Sequence, residues 1–156
     1  MKARSAEESH PLAAAKKVFE AEIPSRIEER HAVIDGSLES LRAAGCSVDP
    51  FLDRLALDEA ITNAIVHGNQ SRASRMVTVR AFAGDEVFGI EVADEGAGFD
   101  WKRVVDRAGR PSGPALASPG GRGIPLILQA GDDVSFLDGG SRIVISWKRG
   151  RAKVGE

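Results

Sequence analysis

Apolar and polar residues follow two different periods along this chain, and the switches between them mark out the elements. Over 16–23, Val18 and the alternating Phe19, Ala21 and Ile23 predict a strand that Pro24 stops. Apolar spacing then becomes helical through Ile27, Val33, Ile34, Leu38 and Leu41 up to Gly45, with Ser25 as the N-cap and Glu28 three residues on. Asp49 followed by Pro50 is a second start signal, an N-cap with proline at the first helical position. The helix it opens carries Leu55, Leu57, Ile61, Ala64 and Ile65 and ends near Gly68. Period two returns over 76–83 and 86–93, joined in hairpin fashion at Gly84-Asp85, and again over 133–137 and 142–148, turned at Asp138-Gly139-Gly140-Ser141.

Between these hairpins, 94–123 is rich in Gly and Pro, with one short helical stretch near 101–107, and a further helix is predicted over 124–130. A loop of that length within one domain is either functional or disordered. The predicted order is strand, helix, helix, strand, strand, long loop, helix, strand, strand. Hairpins impose antiparallel neighbours, so the helices are expected on one face of a mixed, mostly antiparallel sheet, an α+β two-layer sandwich. There is no internal repeat. The domain is expected over 15–150, flanked by tails at 1–14 and 151–156, since neither end shows periodicity.

Composition narrows the class. A chain of 156 residues suits one domain, and 42% hydrophobic with 28% charged residues describes a globular protein. A formal charge of −2 provides no general attraction to nucleic acid or to an anionic membrane. Basic residues near the C-terminus, Arg142, Lys148, Arg149, Arg151 and Lys153, are interspersed with strand formers or lie on the short tail. Cys46 is the single cysteine, which excludes an internal disulfide or a Cys-based zinc site, fits a reducing compartment and is expected to pack as a small hydrophobe. No stretch has the character of a signal peptide or a membrane span, so the setting expected is cytoplasmic.

Candidate chemistry sits in three places. Glu59, Asn63 and His67 fall four residues apart on one stripe of the second helix, setting a carboxylate, an amide and an imidazole in line. On a helix face that only met water such residues would be ordinary; an acid and an amide one turn apart also suit a metal, a phosphate or a proton to be moved. At the exit of the third strand stands Asp94-Glu95-Gly96-Ala97-Gly98. Alternate glycines permit positive φ and close approach of a flat ligand, and a carboxylate there can accept a hydrogen bond from an exocyclic purine amine. Alone, the same residues make a plain turn. Gly120-Gly121-Arg122-Gly123 opens the helix after the long loop, where free backbone amides bind phosphate oxygens.

In this order the three signatures resemble the N, G1 and G2 boxes of the GHKL ATPase superfamily, which includes gyrase-type topoisomerases, histidine kinases and the anti-sigma factor serine kinases. The run Leu55-Ala56-Leu57-Asp58-Glu59-Ala60-Ile61-Thr62-Asn63-Ala64-Ile65-Val66-His67-Gly68-Asn69 and the closing Gly121-Arg122-Gly123-Ile124-Pro125-Leu126-Ile127 are most similar to the anti-sigma group. The resemblance covers about 16–148 and implies the Bergerat ATP-binding fold. It further implies that Asn63 binds Mg²⁺ bridging the ATP phosphates, that Glu59 is the general base, and that Asp94 reads the adenine amine. Gly96 and Gly98 would shape the pocket beneath it. Residues 99–119 would be the ATP lid, with Gly121 and Gly123 against the phosphates. His67 and Asn69 match the motif less strictly and would line the pocket.

The function implied is an ATP-dependent serine/threonine protein kinase that phosphorylates a small antagonist protein and sequesters a sigma factor or similar regulator, in some arrangements as a homodimer. The first helix is the dimer surface candidate, although its apolar residues equally suit a core face. One departure stands out: several family members place a basic residue where this chain has Pro119, and Arg122 is the alternative source of charge on the γ-phosphate. That departure keeps open a nucleotide-dependent binding module with little catalysis. A detached histidine kinase catalytic domain is a third reading, for which His31 lacks the surroundings of a phosphoacceptor and is expected at the surface.

Overall fold

The computed structural model describes residues 2–4, 10–108 and 123–150. Its strands are β1 (Lys2–Arg4), β2 (Lys16–Pro24), β3 (Met76–Ala83), β4 (Val87–Ala93), β5 (Asp133–Leu137) and β6 (Arg142–Lys148). Its α-helices are α1 (Arg30–Ala43), α2 (Leu52–Asn63), α3 (Trp101–Ala108) and α4 (Gly123–Ala130). The strands form one sheet in the order β1-β5-β6-β4-β3-β2. β1 runs parallel to β5, and every other pairing is antiparallel, which makes the sheet mixed as expected.

Period-two alternation explains the layers. Val77, Val79 and Ala81 of β3, Phe88, Ile90 and Val92 of β4, and Ile143, Ile145 and Trp147 of β6 form one core with Leu38 and Leu41 of α1, Leu57 and Ile61 of α2, and Ile127 and Leu128 of α4. Helix α1 packs on β2 and β3, while α2 packs against α4, α1 and β4. The result is an α+β two-layer sandwich. Trp147 stacks on Phe88, with centroids 5.5 Å apart, and its indole donates to the Ala130 carbonyl at 2.8 Å, so its polar atom is satisfied inside the core. Cys46 is buried, as a small hydrophobe would be, and burial pushes its thiol up despite the nearby Arg149 charge.

Asp49 caps α2 as the sequence suggests: its carboxylate accepts from the amides of Phe51 at 2.9 Å and Leu52 at 2.8 Å, and Asp53 accepts from the Asp49 amide at 2.8 Å in return. Ser25 does not cap α1. Its hydroxyl donates to the Arg75 carbonyl at 2.6 Å, Arg26 is extended, and a 3₁₀ turn, Ile27–Glu29, precedes the helix. A tertiary acceptor has taken the oxygen that local spacing offered to the helix.

The N-terminal stretch differs from the expected tail. Lys2–Arg4 joins the edge of the sheet, and Leu12, 1% exposed, packs with Leu137 and Val144 on the sheet face away from the helices. On that outer face Glu91, also 1% exposed, accepts from Arg80 at 2.8 Å, from Arg142 and from His10 at 3.0 Å. Burial raises its pKa, but the hydrogen bonds from Arg142, Arg80 and His10 outweigh burial and leave it below the usual carboxylate range. Single-sequence periodicity reads an isolated apolar residue such as Leu12 as part of a tail, because its partners come from the far end of the chain.

Candidate functional site

The site is built on α2 and the turn that follows it. Asp49 starts the helix, its buried residues fix its rotation, and Glu59 and Asn63 therefore share one half-buried stripe. After Asn63 the backbone widens into a π turn, Ala64–Gly68, a local irregularity frequent at functional sites. It ends with the Asn69 amide donating to the Ala64 carbonyl at 2.8 Å.

The first glycine of α4 meets this stripe. A Cβ built on Gly123 would lie 2.9 Å from Asn63 Nδ2 and 2.9 Å from Glu59 Oε2, below any ordinary contact. The backbone at the start of α4 thus lies close against the ends of the acid and the amide, and a larger residue there would displace these two side-chain ends. Among the described residues, neither side chain has a protein hydrogen-bond partner. Pro125, in the first turn of α4, lacks an N–H where one would have no intrahelical acceptor, and Ile124, Ile127 and Leu128 anchor the helix in the core.

The other end of the site lies where β4 stops. The Asp94 amide donates to the Ser141 carbonyl at 2.9 Å, extending the ladder with β6, and the Asp94 carboxylate accepts from the Gly96 amide at 2.8 Å. Burial raises the Asp94 pKa, only partly opposed by the Gly96 hydrogen bond and by Arg75. Gly68 packs against this carboxylate so closely that a Cβ would stand 2.2 Å from Oδ2, and a Cβ on Gly96 would stand 2.2 Å from the Gly68 carbonyl oxygen. The helix that carries Glu59 and Asn63 therefore also seats Asp94, through the turn at its C-terminal end.

Gly98, with φ +83, turns the chain against the β5–β6 connection, and the next amide, of Phe99, donates to the Gly139 carbonyl at 2.9 Å. Of the residues expected at the site, Glu59, Asn63 and Gly123 come together at one end, and Asp94 and Gly96 meet Gly68 at the other. His67 is exposed on the π turn, and His31 is exposed on α1 as expected. Gly121, Arg122, Pro119 and the greater part of the 99–119 lid lie outside the described residues. Gly68 was legible only as a helix end, and its contact with Asp94 required the fold. A cleft of about 470 Å³ opens on the outer face of the sheet beside His10, Arg80, Glu91 and Arg142. Its charges are engaged with one another, and it lies across the sheet from the helices that carry Glu59 and Gly123.

Fold and site together define an α+β domain in which α2, the glycine turn after β4 and the first residue of α4 bring polar side chains and close backbone together. Residues 23–147 match the family of histidine kinase-like ATPase domains. The chain belongs to that family. It is similar to the anti-sigma F factor of Caldanaerobacter subterraneus subsp. tengcongensis, 35% identical over 74 residues that make up 44% of this chain and 49% of the relative. It is also similar to the anti-sigma F factor of Clostridium acetobutylicum, 40% identical over 58 residues, 34% of this chain and 40% of the relative. The matches thus span about half or less of these curated relatives. No helix among the described residues is long and apolar enough to cross a membrane.

Proposed function

We propose that this protein is an ATP-dependent serine/threonine protein kinase of the anti-sigma type. It phosphorylates a small antagonist protein and holds a sigma factor or similar regulator when the antagonist is phosphorylated. The observation that carries the reading is the convergence of Glu59 and Asn63 on the backbone of Gly123. A binding module needs the amide and the glycine; the carboxylate beside them, which has no partner among the described residues, is what a transfer reaction adds.

Magnesium-bound ATP, when present, supplies the phosphoryl group and neutralises part of its charge. The chain does the rest. Asn63 serves as the protein's magnesium ligand, and the backbone at Gly123, with Gly121 and Arg122 before it, receives the phosphates at the start of α4. Asp94 accepts a hydrogen bond from the exocyclic amine of adenine, which a guanine carbonyl cannot donate, and Gly96 and Gly98 leave room for the ring. His67 lines the rim of the pocket. Glu59 holds the substrate hydroxyl in line and takes its proton, so most of the rate comes from alignment and charge placement.

Labelled ATP, the protein and a candidate antagonist test the reading. Acid-stable label on the antagonist is the expected result, since phosphoserine survives acid and phosphohistidine does not. Glu59→Ala should keep ATP affinity and lose about 100- to 10,000-fold in transfer rate. Transfer at the parent rate would remove Glu59 from its role. Pro119, standing where several relatives carry a basic residue, favours a second reading, a nucleotide-dependent regulatory module with little transfer. In that case ATP alters partner affinity and no label appears on the partner. The cytoplasm as location and a homodimer as assembly belong to the same proposal.

A further inference from the structure

We propose that Asn69 is a positioning residue that sets Asp94 for adenine and thereby governs the choice between purines, an inference that rests on the nucleotide reading above. Asn69 is fully buried, with 0% of its surface exposed. Burying an amide side chain is costly unless its hydrogen bonds are replaced. Here they are: Oδ1 accepts from the Glu95 amide at 2.8 Å, while Nδ2 donates to the Ser25 hydroxyl at 2.9 Å and to the Met76 carbonyl at 2.9 Å.

The orientation of the amide follows from its neighbours. Ser25 spends its proton on the Arg75 carbonyl, so toward Asn69 it can only accept, and Met76 offers a carbonyl. The nitrogen must face these two, which leaves the oxygen facing Glu95. Aspartate would lack both donors, and serine is too short to span three partners. Glu95 completes the clamp, its carboxylate accepting from the Met76 amide at 2.8 Å. Both backbone groups of the first β3 residue are thus held by side chains from the two boxes.

The bond to Glu95 is the one that matters for the ligand. It fixes the peptide that immediately follows Asp94, while Ser141 holds the Asp94 amide and Gly96 holds its carboxylate. Asn69 is the tether that refers this loop to α2, the helix that carries Glu59 and Asn63. Gln70 and Ser71, which follow Asn69, both have φ 54, in the left-handed region that residues with a Cβ seldom adopt.

Equilibrium binding of ATP and GTP in the presence of Mg²⁺ tests the proposal on the full chain. The parent should prefer ATP. Asn69→Ala should weaken ATP about 10-fold and bring the ATP-to-GTP affinity ratio down by a similar factor, because a misplaced carboxylate loses its discriminating hydrogen bond. Ser25→Ala breaks the far end of the network and leaves Asn69 on Glu95; it should lower the melting temperature and keep the ratio. If Asn69→Ala does not fold, Asn69→Ser takes its place, and the same fall in ratio is expected. A folded Asn69 variant with the parent ratio overturns the proposal while leaving the nucleotide reading intact. A parent that binds ATP and GTP alike overturns the role of Asp94 and that of Asn69 with it. A parent that binds neither overturns the nucleotide reading itself.

Discussion

Replacing Gly68 by alanine probes the junction between the two ends of the site with a single methyl group. The new Cβ would fall 2.2 Å from Asp94 Oδ2 and 2.3 Å from its Cγ, whereas ordinary contact begins at 3.4 Å. The carboxylate or the turn must therefore move by about 1 Å. Asp94 has little freedom to give, since its amide is bound to Ser141 and its Oδ1 to Gly96. A shift of that size takes a hydrogen bond from good geometry to none. A hydrogen bond to a charged group is worth about 1.5–3 kcal/mol, so ATP should bind about 10- to 150-fold more weakly. Overpacking should also cost about 1–3 kcal/mol of stability, or about 2–12 °C in melting temperature for a chain of this size. Titration calorimetry with Mg²⁺-ATP, alongside thermal melts, measures both. Gly139→Ala is the control: unlike Gly68 it has positive φ, at 70, but nothing stands within 4 Å of the added methyl, so it should strain the backbone and spare the affinity. A folded Gly68→Ala that binds ATP as tightly as the parent would show that Asp94 does not grip the base, and the reasoning would fail there.

Other outcomes follow from the same structure. Asp94 has a raised pKa and is needed as an acceptor, so ATP affinity should fall on acidification at a pH above the usual aspartate value of 3.8, and calorimetry across pH 4–7 would detect it. Arg80→Met leaves the buried Glu91 with one guanidinium fewer and should lower the melting temperature at pH 7. Because its guanidinium partners hold Glu91 below the ordinary glutamate value of 4.5, the stability it contributes is present above that pH and is lost as pH falls through the folded value. The difference between parent and Arg80→Met should accordingly shrink in acid, and a constant difference in melts across pH 3–7 would contradict the network's role. Leu12→Ala should cost about 2–5 kcal/mol, read from denaturant unfolding, if the N-terminal turn packs on the sheet as described. A change under 0.5 kcal/mol would restore the picture of a tail.

Much of the fold could be read from local pattern. Strands β5 and β6 have the bounds that alternation predicts, and Asp49 caps α2 as its place before Pro50 suggested. These features depend on neighbours within a few residues, where period, cap and turn chemistry act. The same holds for Glu59 and Asn63, whose common stripe is a property of helical spacing alone. What the sequence by itself determined is thus the set of elements and which residues each one offers.

The tertiary structure decided how those offers were taken up. Ser25 has the spacing of a cap, yet its hydroxyl went to Arg75 and Asn69, 50 and 44 residues away. Leu12 and Glu91 became buried because an N-terminal turn and two arginines from β3 and β6 cover the outer face of the sheet. Asn69, a plausible lining residue by position, turned out to be the fully bonded link between α2, β3 and the Asp94 loop. In each case the partner is remote in the chain, and the hydrogen-bonding need of a buried polar atom, which no local pattern expresses, chose it.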